Sequence, residues 1–519
     1  MIDPQALLAA LPARIDAIPR AAAARTPDAP ALSEVNPEGA PTLSYAALVA
    51  EIDRYAALLR ARGVRPGDRV LLVSENCIAQ VALIFAVSTI GAWIVNLNPR
   101  LAAPEVDAIR AHCGARLALY TAAVSTETAA HAARAGALPF AGPGLLASAL
   151  NEACLPEIGD GDPADGDPIA ALVYTTGTTG RPKGVMLSHR NLLFVAGVSS
   201  RLRGLVPQDR AWGVLPVSHV YGLTSVLLGT LSAGACLQLA PRFTPEAMLR
   251  ALRDDGLTIV QGVPAMYARL LELAGDARLP STLRFAYAGG SPLDPDLKRR
   301  VEALLGLPLH NGYGLSEAAP TVSQTRLDAP RGDTSVGQPI PGVEVRIVDQ
   351  AGHDVADGDA GELWVRGPNV MRGYYREPLL SAAALRPGGW LNTGDMARRE
   401  GDGKGDGALF IVGRTKELII RSGFNVFPLE VETVLNAHPG VTQSAVVGRP
   451  AADGNEEVVA FVQPAPGQAV GVDALHAWTK ERLAPYKRPG RIILMTVLPA
   501  AATGKILKNA LKDMAAALA

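Results

Sequence analysis

The 519 residues carry 49 Lys+Arg against 50 Asp+Glu, a formal charge of −1, with 48% hydrophobic and 19% charged residues. Such a chain can bury a sizeable core, which excludes a disordered polypeptide, and its charge balance excludes a globally basic nucleic-acid binder. Cys77, Cys113, Cys154 and Cys236 are dispersed without a Cys-x-x-Cys pair, which fits neither a disulfide framework nor a zinc knuckle and points to a reducing cytoplasm.

The N-terminal MIDPQALLAALPARID has an early Asp and no basic stretch ahead of an apolar run, so no secretory signal is expected. Tyr45, Leu48, Val49, Ile52, Tyr55 and Leu59 recur at helical spacing and predict a helix over 45–62, with Ser44 as N-cap and Gly63 as stop. RVLLVS (69–74) reads as a strand. Residues 78–97 carry no charge over a length that could span a bilayer, but Gln80, Ser88, Thr89 and Asn96 interrupt them and Gly91 divides them. The expectation there is a buried helix followed by a buried parallel strand, with no integral membrane segment. A helix near 103–112, the strand RLALY (116–120), an acidic Gly/Pro-rich loop at 156–168 and a buried strand at 169–174 follow.

This alternation predicts an α/β domain of mixed and parallel sheets covered by helices. After about residue 330, VEVRIVD (343–349) and GELWVRG (361–367) are short alternating strands, which suggests a small antiparallel, barrel-like subdomain, and 400–407 is a turn. From ELIIR onward, a helix from Pro428, the strands TQSAVVG and EVVAFVQ, a helix near 472–483 and RIILMTV make a compact α+β unit. The expected division is a large N-terminal domain, 1–413, and a small C-terminal domain, 414–519.

The strongest local chemical signal is YTTGTTGRPKGV, Tyr174 to Val185, directly after a buried strand. Small residues let backbone N–H groups approach phosphate oxygens, while threonine hydroxyls donate and Lys183 supplies charge. Pro182 before Lys183 and Gly184 after it exclude a Walker A loop.

YTTGTTGRPKG resembles the signature loop of the adenylate-forming superfamily, which includes acyl-CoA synthetases, adenylation domains and firefly-type luciferases. Further segments match in the family's order: PVSHVYG (216–222), YAGGSPL (287–293), NGYGLSE (311–317), GELWVRGPNVMRGYY (361–375), WLNTGD (390–395), GRTKELIIRSGFNVFPLEVE (413–432) and PYKRP…LPAAATGKILK (485–508). The resemblance spans nearly the whole chain.

It implies a nucleotide site for ATP made by Thr175, Thr176, Gly177, Thr178, Thr179, Gly180, Lys183, Gly289, Gly290, Ser291, Asn311, Gly312, Tyr313, Gly314, Ser316, Asp395 and Arg414. In it Glu317 is a Mg²⁺ ligand, suited to a hard cation on a triphosphate. Tyr313 stacks on adenine, and Asp395 and Arg414 hold the ribose. Ser316 stands where Thr is commoner and keeps the hydroxyl. The resemblance makes Lys505 the catalytic lysine of acyl-adenylate formation, Lys416 the hinge of a mobile C-terminal lid, and Ser422, Gly423 and Phe424 the passage for CoA. His219, Val220, Gly222, Gly289, Gly290 and Gly314 border the acyl pocket, where His219 steers the reacting carboxylate. Ser218 replaces a common aromatic there. Taken without the resemblance, Glu317 is equally a surface carboxylate, Tyr313 core packing, Asp395 a turn residue, His219 a hydrogen-bonded core residue and Lys505 one more tail lysine.

The implied reaction joins a carboxylic acid to ATP as acyl-AMP and then to CoA as thioester. The windows 260–271, 287–293 and 311–320 offer only Arg269 for a second carboxylate, so a monocarboxylic fatty or aryl acid is expected. The alternatives are a stand-alone adenylating enzyme that loads a carrier protein or amine, a luciferase-like oxygenase, and a non-catalytic nucleotide-binding module. The resemblance is compatible with a homodimer.

Overall fold

The computed structural model describes all residues except 1, 36–40, 143, 158–166, 177–181, 276, 401–406, 422–423, 452–454, 466, 469, 501–505 and 519. Most of the acidic loop and of the 400–407 turn therefore lie outside the described residues.

Local sequence signals account for the first elements. The helix Tyr45–Ala61 is capped by Ser44, whose hydroxyl accepts from the Ala47 N–H at 3.2 Å, and it buries Tyr45, Leu48, Ile52, Tyr55 and Leu59. The uncharged stretch is a 13-residue helix, Ile78–Ile90, closed by Gly91, and then the fully buried strand Trp93–Leu97. No helix among the described residues is long and apolar enough to cross a membrane.

Two mixed sheets form the body. The first runs, in spatial order, Gly373–Tyr374, Pro182–Ser188, Ile169–Thr176, Trp93–Leu97, Arg69–Val73, Leu117–Thr121, Leu145–Ala147 and Leu138–Pro139. Its middle is parallel, with Leu71 opposite both Val95 and Ala118. The second sheet places Arg210–Gly213, Ile259–Gly262, Phe285–Ala288 and Leu309–Gly314 side by side in parallel, and Thr321–Gln324 then runs antiparallel beside the last. One apolar core joins both sheets through the helices Tyr45–Ala61, Ile78–Ile90 and His189–Leu202. The C-terminal ends of these parallel strands carry Val263, Gly289–Gly290 and Gly312–Gly314, the crevice position at which open α/β sheets bind ligands.

Beyond residue 340 the expected change of style is present. Glu344–Val348, Ala360–Arg366, Trp390–Arg399 and Leu409–Arg414 pair antiparallel as a curled sheet. The C-terminal unit pairs Ile419–Arg421 with Phe424–Val426 and stacks Val441–Pro450, Glu456–Pro464 and Arg491–Leu494, flanked by Pro428–Asn436, Val472–Arg482 and Lys508–Ala516 around its own apolar clusters. The fold class is that expected from the sequence.

Two buried histidines make stability depend on pH. His189 accepts the Ile15 N–H on Nδ1 at 3.2 Å, and burial, reinforced by Arg14, lowers its pKa to about 3. Burial, then Lys298, lowers His310 to about 4. Both stay neutral in the fold while the unfolded chain protonates them near 6.5, so their contribution is present above pH 6.5 and is lost as pH falls toward 3. The urea midpoint should therefore drop between pH 7 and pH 5. His189→Asn, which keeps an acceptor but does not titrate, should flatten that drop.

Candidate active site

The described parts of the signature segment lie on two paired strands. Ile169–Thr176 returns antiparallel as Pro182–Ser188, with Thr175 opposite Lys183 and Thr176 opposite Pro182. The second strand is not anticipated from the sequence, because a Pro and a Lys open it. Gly177, Thr178, Thr179 and Gly180 lie outside the described residues. The Lys183 ammonium stands 5.4 Å from the centroid of the Tyr374 ring, and the Tyr374 hydroxyl donates to Glu317 Oε1 at 2.8 Å. Glu317 follows the strand Leu309–Gly314 in the short turn Ser316–Ala318, with Ser316 buried before it. Burial and the adjacent Glu317 raise the Tyr374 hydroxyl far above its ordinary value, so it remains a donor. Sequence reasoning does not single out Tyr374. Its only signal is the Gly-Tyr-Tyr end of the 361–375 segment, whose Gly373–Tyr374 pairs with Pro182–Ser188.

A second cluster forms around Asp395. The Tyr313 hydroxyl donates to Asp395 Oδ2 at 2.5 Å, and Arg414 Nε lies 3.1 Å from Oδ1, the two residues facing each other across the strands. Asp395 is 5% exposed. It does not end its strand as the WLNTGD pattern suggests but sits inside Trp390–Arg399, just before a bulge at Met396. Asn311 spends its side chain on the backbone, donating to the Thr334 and Ser335 carbonyls at 3.1 Å and accepting from the Gly312 N–H at 3.0 Å. It braces the strand that carries Tyr313.

The PVSHVYG segment is anchored by Asn76, which donates to the Gly213 and Leu215 carbonyls and accepts from Val217 N–H, each at 2.9 Å. His219 is exposed and accepts the Tyr221 N–H on Nδ1 at 3.2 Å, whereas Val220 is fully buried. A π-helix, Tyr221–Leu228, starts there, a rare form that tends to occur at functional sites. Gly222 is explained by close approach, because a Cβ there would stand 2.1 Å from the Pro216 carbonyl oxygen. Gly222→Ala should force the His219 segment to move and cost about 3 kcal/mol of stability, the upper range for overpacking, measurable by urea denaturation. Gly289 is buried against the Tyr287 and Tyr221 rings, while Gly290 and Ser291 are exposed at the crevice. Gly314 lies against the Pro320 carbonyl.

In the C-terminal unit, Phe424 is 55% exposed and stacks on Tyr486 with centroids 4.6 Å apart. Ser422, Gly423 and Lys505 lie outside the described residues. Lys416 occupies the turn Thr415–Glu417 right after the Arg414 strand, and its carbonyl accepts from Lys512 Nζ at 3.2 Å. Lys508 bridges Glu417 and Glu432, each at 2.8 Å.

Comparison with known proteins agrees with this layout. The profile of the AMP-binding enzyme family matches residues 19–375, and that of the AMP-binding enzyme C-terminal domain matches residues 430–505. Feruloyl-CoA synthase from an Amycolatopsis species is 38% identical over 91% of this chain and 94% of its own length. Among solved structures, ATP-bound MatB from Rhodopseudomonas palustris is 31% identical, with a TM-score of 0.83 over 97% of this chain and 99% of that one. O-succinylbenzoate coenzyme A synthetase from Bacillus subtilis, in complex with ATP and magnesium ion, is 28% identical, with a TM-score of 0.81 over 96% and 99%. The chain belongs to the AMP-binding enzyme family, among its AMP-forming acyl- and aryl-CoA ligases.

Proposed function

We propose that this chain activates a fatty or aryl carboxylic acid with ATP and passes the acyl group to CoA. The observation that carries the reading is the meeting of Lys183, Tyr374 and Glu317 at one place and of Tyr313, Asp395 and Arg414 at another, the two joined by the strand Leu309–Gly314, which carries Tyr313 and leads into the turn that holds Glu317. Phosphates beside the paired residues Thr175 and Lys183 would meet the Lys183 charge and the Thr175 hydroxyl, and the ribose hydroxyls would donate to Asp395 beside Arg414. Glu317 fits a Mg²⁺ ion: it is a partly buried carboxylate whose Oε1 is oriented by Tyr374, and Mg²⁺ typically takes one or two carboxylates together with substrate phosphates. When bound, that ion would screen charge on the phosphates.

In the first step a carboxylate oxygen of the acid bonds to the α-phosphorus and the α–β phosphoanhydride bond breaks, releasing pyrophosphate. In the second, the CoA sulfur bonds to the acyl carbon, the acyl–phosphate bond breaks, AMP leaves and the thiol proton goes to solvent. We place the boundary at 413/414, so that residues 414–519 act as a lid turning at Lys416. Lys505 would serve the first step, and Phe424 with Ser422 and Gly423 the second. His219, open at the crevice, would steer the acid. The free thiols, all buried, suit a reducing cytoplasm.

A pyrophosphate-release panel over fatty and aryl acids, with and without CoA, tests the reading. Acid-dependent release and CoA-dependent thioester are expected. Release followed by transfer only to an amine or a carrier protein would instead establish the stand-alone adenylating alternative.

A further inference from the structure

A buried arginine beside the acyl segment has no role in the reactions above. Arg203, 1% exposed, follows the helix His189–Leu202 and lies over the Tyr287 ring, 4.5 Å from its centroid. Its Nη1 donates to Gln261 Oε1 at 2.6 Å, whereas Nε and Nη2 meet no acceptor among the described residues. Two further polar groups around the same ring are equally unmatched: Gln261 Nε2 and the hydroxyl of Tyr221, whose ring stands edge-on to Tyr287 at 6.2 Å.

Another fully buried arginine shows how such a group is satisfied when its work is architectural. Arg69, also 1% exposed, donates to the carbonyls of Cys113, Gly67 and Leu155. A buried guanidinium with two unmatched nitrogens is costly unless an anionic acceptor satisfies it.

The position is informative. Gly289 packs on both the Tyr287 and Tyr221 rings, and Gln261 lies near the end of the strand leading to Val263, which neighbours Gly290. We propose that Arg203, with Gln261 and Tyr221, forms the far end of the acyl pocket and binds an anionic oxygen that the acid carries remote from its reacting carboxylate. This deepens the ligase reading and rests on it. It also revises the expectation of a single carboxylate: the sequence windows offer only Arg269, which is exposed, and Arg203 lies outside them.

Matched acids test the idea through kcat/KM for pyrophosphate release: adipate against hexanoate, 4-carboxycinnamate against 4-methylcinnamate, and 4-hydroxy-3-nitrocinnamate against 3-nitrocinnamate. The protein should favour the anionic member of at least one pair by about 10- to 100-fold, the worth of one charged hydrogen-bonded contact. The responsive pair tells a distal carboxylate from a phenolate. Arg203→Leu should bring that ratio to near one, and Gln261→Leu should lower it severalfold. Preference for the uncharged member in every pair, or an unchanged ratio in Arg203→Leu, overturns the proposal. If that variant does not fold, the ratios of the unaltered protein and of Gln261→Leu decide on the same terms. Failure of the ligase reading looks different, because no acid of either charge would then release pyrophosphate. Calorimetric titration of the same pairs would still have to show tighter binding of an anionic member, and its absence would again overturn the proposal.

Discussion

Lys505→Ala is expected to slow acyl-adenylate formation by about 10²- to 10³-fold, the usual loss when one electrostatic stabiliser of a developing charge is removed. A carboxylate attacking an α-phosphate concentrates negative charge, and an ammonium placed there relieves it. The variant should still convert a supplied acyl-adenylate and CoA into thioester, because the proposed turn of the lid for that step would carry Lys505 away. The surroundings favour a clean experiment. Residues 501–505 are flanked by a bridge between Ala500 and Ile506, and the following helix is held by Lys508 between Glu417 and Glu432, so the anchors survive the substitution. ATP–pyrophosphate exchange reads the first step, and thioester formation from the supplied adenylate reads the second. Loss of both together would mean a damaged lid, and near-normal exchange would remove Lys505 from the mechanism.

The elements legible in the sequence are those whose causes are local. Ser44 and Gly63 bracket a helix because cap and stop lie next to the residues they serve, and Gly91 separates helix from strand within an uncharged run for the same reason. The ordered motifs identify the family. What the sequence conceals is long-range meeting. Tyr374 and Glu317 are 57 residues apart, and nothing near either announces the other. Arg203 and Gln261 are 58 apart, and Arg203 sits in a segment that carries no motif. The π-helix at Tyr221–Leu228 has no sequence signature that separates it from an α-helix. The glycines mislead in a more specific way. Gly222 belongs to a motif that the resemblance sets at the acyl pocket, yet its missing Cβ is required by the Pro216 carbonyl.

Asp395→Ala should raise the KM for ATP by about 10²-fold, since a carboxylate taking two ribose hydroxyls contributes two charged hydrogen bonds. The same carboxylate accepts from Tyr313 and pairs with Arg414, so a weaker nucleotide site could arise from either cause, and KM alone does not separate them. The nucleotide can. In the unaltered protein 2′-deoxy-ATP and 3′-deoxy-ATP should be poorer substrates than ATP, each lacking one hydroxyl that Asp395 would receive. Asp395→Ala should lose that discrimination, because the group proposed to sense the hydroxyls is gone, and the three nucleotides should then share one raised KM. Arg414→Ala leaves the carboxylate in place and should keep the discrimination while weakening all three. If Asp395→Ala still prefers ATP by the original factor, Asp395 does not touch the ribose, and its work is to hold Tyr313 and Arg414 in register across the strands.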